Sequence, residues 1–250
     1  MVFCIQSDTA VCKGAFGMNI PPNSSEGIFR TLKEEILNLT LKPGQALSEN
    51  EVCARFGVSR TPVRSVLQRL QAEGLVDVVP YKGTTVTLLS LDDIEQRIYM
   101  RIAIESMVLR DFIDVCTPIL LEKVRYIIRK QTVLLEGDFS TAEFYALDSQ
   151  LHEIWFKATG KQLLWQLIQQ SQVNYTRFRM LDIVAVQNYD AIMEEHHQMF
   201  AAIEQKDKAA IEPLVRLHMY GGLNRLGRRI ETDFREYFQP FVLPASDRWE

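Results

Sequence analysis

Apolar residues recur along this chain in blocks whose pattern changes twice. From Ser24 the apolar positions Ile28, Leu32, Ile36 and Leu37 fall on one helical face, which Leu41-Lys42-Pro43-Gly44 ends. Ser48-Glu49-Asn50-Glu51 has the form of a capping box, with Glu51 reaching back to the Ser48 amide. A short helix to about Arg55 is therefore predicted, with a tight turn at Gly57. Ser59 can cap the next helix, and Pro62 stands in its first turn, where a missing N–H is tolerated. Val63, Val66, Leu67 and Leu70 make one apolar face over 59–73, and Gly74 closes it. Two β-rich runs follow, 75–79 and 84–88. Pro80-Tyr81-Lys82-Gly83 joins these runs with turn composition, so a hairpin is predicted. From Leu91 to about Phe238 helical stripes return without a strand. Breaks at Thr117-Pro118, Gly137-Asp138, Gly160 and 205–207 divide this stretch into roughly six helices.

The expected fold is mostly α: an N-terminal winged helix-turn-helix with a small β-hairpin wing, joined to a C-terminal all-helical bundle. The boundaries read as a poorly ordered lead-in over 1–23, the winged domain over 24–89, the bundle over 91–238 and an irregular tail over 239–250. A chain of 250 residues with 47% hydrophobic and 24% charged residues can build two such cores. The formal net charge of −4 neither favours nor excludes nucleic acid, because a local basic surface supplies phosphate contacts. Cys4, Cys12, Cys53 and Cys116 are scattered, with neither metal nor disulfide spacing. With no membrane span and no signal peptide in the pattern, a cytoplasmic location and no membrane partner are expected.

In a winged helix-turn-helix the second helix of the motif enters the major groove. Arg60 and Arg64 are one turn apart near its start, and Gln68 continues their stripe. Arginine suits base reading because its planar fork can bond guanine O6 and N7 together. Ser59 and Thr61 stand at the helix N-terminus, where phosphate is favoured. Lys82 lies at the hairpin tip. These are the candidate DNA-binding residues, and a charged face turned only to water is the plain alternative.

The stretches Leu41-Lys42-Pro43-Gly44-Gln45-Ala46-Leu47-Ser48-Glu49, Phe56-Gly57-Val58-Ser59-Arg60-Thr61-Pro62-Val63-Arg64 and Leu70-Gln71-Ala72-Glu73-Gly74-Leu75-Val76 resemble the GntR family of bacterial regulators. The resemblance covers about 60 residues with hardly a gap. It implies DNA-contacting roles for Arg60, Thr61 and Arg64, with Gly83 at the wing tip. Val52-Cys53 stands where many members have Leu-Ala, a change that bears on packing.

The chain has four histidines, and three of them fall on inward stripes. Asp148 and His152 are one turn apart on a helix with Phe144, Leu151 and Trp155. His196 shares a face with Ile192, Met199, Phe200 and Ile203, and His218 with Ile211, Leu214 and Val215. A buried carboxylate without a partner is expensive. One carboxylate and three imidazoles suit a divalent cation such as Zn, Ni or Mn, with positions open for another ligand. Hydrogen-bonded core histidines are the alternative. His197 is expected in solvent.

A helical partner of about 150 residues resembles the FCD subgroup of the GntR family. The resemblance implies metal ligation by Asp148, His152, His196 and His218, with Arg101 facing a carboxylate effector. Arg101 can equally pair with Glu105, four residues on, and the two roles can coexist. Pro213 departs from the pattern, since a kink there could mis-aim His218. Lys161 departs as well, standing where asparagine is frequent.

The function expected is a ligand-responsive transcription regulator, a repressor by family habit. It would be a homodimer on a palindromic double-stranded operator, with a divalent metal ion and a small carboxylate effector. A regulator that senses the metal alone is one alternative. A metal-dependent hydrolase is another, but no separate base or nucleophile accompanies the ligands.

Overall fold

The computed structural model describes residues 21–241 apart from 172 and 187–188. Residues 1–20 of the lead-in, with Cys4 and Cys12, lie outside the described residues, as does the tail from 242. The described residues form two apolar cores, one for each half of the chain.

The first half holds α1 (Ser25–Leu37), α2 (Glu49–Phe56) and α3 (Arg60–Ala72), then β1 (Val76–Val79) and β2 (Gly83–Val86). Ser24 caps α1 by accepting from the Gly27 amide. Ile28, Leu32 and Ile36 of α1 meet Val63, Val66 and Leu70 of α3, all fully buried. Gly57 ends α2 at φ 64°, a left-handed position that glycine occupies without a Cβ penalty. The strands pair antiparallel, Val76 opposite Val86 and Val79 opposite Gly83. They are shorter than the runs in the sequence: the Leu75 amide bonds back to the end of α3, although the Thr87 amide still bonds the Leu75 carbonyl opposite.

Two capping expectations are corrected. Ser48 accepts from the Glu51 amide, but Glu51 does not complete the box. Ser59 occupies the N-cap of α3 and its hydroxyl makes no cap bond. The full capping box stands instead at Ser140 and Glu143.

The second half is helical, with α4 (Leu91–Val115), α5 (Pro118–Leu135), α6 (Thr141–Ala158), α7 (Gln162–Ser171), α8 (Val173–Val186), α9 (Tyr189–Gln205), α10 (Lys208–Leu226) and α11 (Arg229–Thr232). The count of roughly six is thus too low. The junctions between α7 and α8 and between α8 and α9 hold neither glycine nor proline to mark them. Among the described residues none of this half is a strand, and a 3-10 turn (Arg235–Tyr237) brings Phe238 beside Leu89. Helix α10 packs on α4, α8 and α9, and α5 packs on α6 and α9. No described helix is long and apolar enough to cross a membrane.

The halves meet along α8 and α1. Arg177 of α8 is fully buried and donates to the Thr87 hydroxyl at 2.9 Å and to the Thr87 carbonyl. The same hydroxyl donates to the Gly74 carbonyl, at the end of α3. Among the described residues no carboxylate is paired with Arg177; burial lowers its pKa to about 10, and its buried Nε has no hydrogen-bond partner there.

Candidate functional site

Helix α3 buries Val63, Val66, Leu67 and Leu70, which turns Arg60, Thr61, Arg64 and Gln68 to the exposed side. The two arginines are not free, as their spacing alone suggested. Glu49 of α2 lies 3.0 Å from the Arg64 Nε and 3.8 Å from the Arg60 Nε. Asn50 accepts from an Arg60 Nη at 3.1 Å. The half-exposed Glu49 thereby takes the Nε edge of Arg64. Its two Nη groups remain on the exposed side.

At the hairpin tip the Lys82 amide bonds the Val79 carbonyl, and Lys82 and Gly83 are exposed. Gly83 stands at φ 104°, which only glycine adopts without strain. Sequence reasoning missed Tyr81, whose ring is fully exposed on a backbone at φ 63°. An aromatic inside a Pro-Tyr-Lys-Gly turn was the available signal.

In the second half, three helices carry the inward stripes to one point. Asp148 and His152 come from α6, His196 from α9 and His218 from α10, and all four are buried. One ligand atom from each lies within 4.8 Å of the others. Pro213 removes one hydrogen bond from the second turn of α10, yet the helix runs on through His218. Lys161 pairs with Asp111 of α4 at 2.8 Å. His197 is exposed.

Each of the three histidines is oriented through Nδ1. His152 Nδ1 donates to Glu105 of α4 at 2.5 Å, His218 Nδ1 to Glu195 of α9 at 2.7 Å, and His196 Nδ1 to Gln131 of α5 at 3.1 Å. A carboxylate or amide oxygen at Nδ1 fixes the proton there and leaves the Nε2 lone pair for the cavity. Nε2 of His152 and of His196 are buried with no hydrogen-bond partner. His196 Nε2 lies 3.3 Å from the Asp148 Oδ1, so two lone-pair acceptors face each other in a dry place. A cation removes that repulsion, and the donor set fits a divalent transition metal.

The surrounding charges keep the ligands in their binding forms. Burial would raise the Asp148 carboxyl, but Arg179 and the neighbouring histidines hold it well below the usual range. Burial likewise works against the Glu105 carboxylate, yet Arg101 and His152 keep it at about 2. Burial pushes His196 down and His218 well down, which favours neutral imidazoles.

Arg101 is buried beside this cluster. Its Nε bonds Glu105 at 2.5 Å and its guanidinium lies 4.8 Å from the centre of the Tyr175 ring. Of the two roles read for Arg101, the ion pair is the one present. Gln131 and Arg179 escaped the sequence reading, as did the bonds that Glu105 and Glu195 make to the histidines. The four sit on four helices with no shared spacing, and only the fold juxtaposes them.

Gly221 and Gly222 let α10 approach closely. A Cβ at Gly221 would come 2.7 Å from an Arg225 Nη and 2.8 Å from the Glu195 Oε1. One at Gly222 would come 3.1 Å from Phe178 and 3.2 Å from Asp182.

Comparison with known proteins agrees with this architecture. Residues 24–86 match the model of bacterial regulatory proteins of the gntR family, and residues 97–221 match the FCD domain. The chain is 27% identical over 214 residues to the HTH-type transcriptional repressor RspR of Escherichia coli K12, covering 86% of this chain and 93% of that protein. It is 24% identical to the gluconate operon transcriptional repressor of Bacillus subtilis, covering 71% and 74%. The solved structure of E. coli McbR/YncC shares the fold, with a TM-score of 0.63 at 21% identity over 82% of this chain and 97% of that one. The chain therefore belongs to the GntR family, in the subgroup carrying an FCD domain, and is a DNA-binding transcription regulator.

Proposed function

We propose that this regulator is a homodimeric repressor whose helical domain binds a divalent metal ion and, beside it, a small organic acid. Asp148, His152, His196 and His218 would hold the ion. When bound, it would act as a Lewis acid that offers open positions to a ligand oxygen. The observation that carries this reading is the pair of buried, unpartnered Nε2 atoms facing the Asp148 carboxylate. Glu105, Glu195 and Gln131 orient the three imidazoles.

In the head, Arg60, Arg64 and Gln68 would read base edges in the major groove. Ser59 and Thr61 would bond phosphate, and Lys82 and Gly83 would bring the wing to the backbone. Dimerisation through the helical domain would set two reading helices over the halves of a palindrome. Repression is supported by the relatives named as repressors, RspR and the gluconate operon protein. The relatives compared are regulators, which speaks against turnover at the histidine cluster.

Elemental analysis of untagged protein tests the reading, with His196→Ala as the control. About one metal per chain is expected in the parent and none in the variant. No uptake after loading with zinc, nickel and manganese in turn overturns it and leaves the DNA-binding assignment in place.

A further inference from the structure

The hairpin tip carries a side chain that its own backbone disfavours. The Lys82 amide bonds the Val79 carbonyl, which closes a turn with Pro80 second and Tyr81 third. Proline suits the second place, and a positive φ at the third is what glycine or asparagine supplies. Tyr81 stands there at φ 63°, where a Cβ crowds the following carbonyl. Packing within the described fold does not offset this, because the ring is fully exposed. Strain of this kind at a surface is kept where a contact outside the chain uses it.

The chemistry of the tip narrows that contact. Val79, Pro80 and Tyr81 are exposed side by side. From Val76 to Val86, Lys82 is the one cation and Asp77 the one carboxylate. The hairpin therefore has little attraction for phosphate, and the tyrosine ring is the largest surface it can offer to DNA. A tyrosine is flat and carries a hydroxyl donor at its edge. The floor of the minor groove presents adenine N3 and thymine O2 as acceptors, and a G·C pair adds the guanine 2-amino group there. A flat ring whose hydroxyl donates to those acceptors fits beside A·T pairs and meets the amino group at G·C pairs.

We propose that Tyr81 enters the minor groove beside the bases met by α3 and makes the regulator prefer A·T pairs there. The inference rests on the reading of the head given above, and it gives the wing a share of base choice in addition to backbone contact.

Full-length protein first selects duplexes from a random-sequence pool, and a selected duplex then serves as the probe in fluorescence anisotropy. The parent's duplexes carry A·T pairs outside the bases whose choice Arg64→Ala relaxes, and a selection with Tyr81→Asn leaves those pairs free. Asparagine is at ease at positive φ, so Tyr81→Asn melts no lower than the parent, yet its affinity for the selected duplex falls about tenfold. The salt dependence of that affinity stays the same, whereas Lys82→Ala lowers its slope by about one. Tyr81→Phe keeps the ring, melts as the parent does and weakens the A·T choice. With the parent, a G·C pair at those positions weakens binding, and inosine in place of the guanine, which lacks the 2-amino group, restores it. Parent affinity in Tyr81→Asn, or guanine and inosine bound alike, overturns the proposal. So does a fall in melting temperature that accompanies the lost affinity, since the ring then serves the fold. In each of these cases the response to Arg64→Ala leaves the reading of the head in place. A parent that selects no duplex overturns that reading as well.

Discussion

Replacing Arg177 with methionine separates a joint from a pillar. Burial lowers the guanidinium pKa to about 10, which corresponds to about 3 kcal/mol against the charged form. Two hydrogen bonds to Thr87 oppose this, at about 1.5–3 kcal/mol for each bond to a charged group. The substitution relieves the first and forfeits the second, so the net loss is about 0–3 kcal/mol. Removing one partner of a buried ion pair costs about 3–5 kcal/mol, and among the described residues Arg177 has no such partner to strand. The loss also falls at one place, where α8 holds Thr87 and through it the end of α3. Scanning calorimetry of Arg177→Met is expected to resolve the unfolding of the head from that of the bundle. Hydrogen exchange should quicken at the Thr87 and Leu89 amides while the centre of α10 keeps its protection. A single cooperative transition lowered by more than about 5 kcal/mol would refute the reasoning, because Arg177 would then belong to a common core.

Further perturbations reach the other contacts. Gln131→Leu removes the acceptor that orients His196 and is expected to weaken metal binding about 10–100-fold in competition with a chelator; an unchanged affinity would remove Gln131 from the site. Arg64→Ala is expected to cost about 1–3 kcal/mol of operator affinity and to relax the choice of one base pair in a binding-site selection. Glu49→Gln frees Arg60 and Arg64 from a carboxylate, so non-specific DNA should bind more tightly and the specificity ratio should fall; a ratio that rises contradicts this. His196 and His218 are held below their ordinary value of 6.5, so below that value the unfolded chain binds more protons than the folded one. Stability of metal-stripped protein is fully present above pH 6.5 and falls by up to about 1.4 kcal/mol per pH unit for each histidine on acidification. Asp148 and Glu105 are displaced the same way in the acid range, and their contribution is lost only as pH falls past the ordinary carboxylate values. Urea denaturation at pH 7 and pH 5 reads the difference, and a flat profile contradicts it.

The sequence is legible where one side chain's neighbours are local. The apolar face of α3, the glycine after α2 and the inward stripes of α6, α9 and α10 repeat at helical spacing, and the structure brings Asp148 and the three histidines together from those stripes alone. Legibility fails where the partner lies on another element. Glu49 meets Arg64 across the turn of the motif, and Lys161 meets Asp111 across fifty residues. The supports of the histidines show the same limit, since Gln131 and His196 share no period. Arg101 is instructive because both of its roles were open at the level of sequence. Its i,i+4 spacing to Glu105 was visible, but whether that pair or a ligand would hold it depended on the burial of both groups. The boundaries of α8 were hidden for a different reason: neither end holds a glycine or proline, and its buried Arg177, Arg179 and Asp182 blur the apolar period.

The two glycines of α10 bear on how any motion must run through the bundle. With no side chain at 221 and 222, the backbone lies directly against Glu195 and Arg225 on one side and against Asp182 and Phe178 on the other. A slide of one residue along α10 would bring Tyr220 or Leu223 into that gap, where even a methyl group meets its neighbours too closely. Helices α8, α9 and α10 are thus keyed together at this point like a dovetail. A displacement that kept this fit would run between these three helices and α6, and would part the histidines on α9 and α10 from Asp148 and His152.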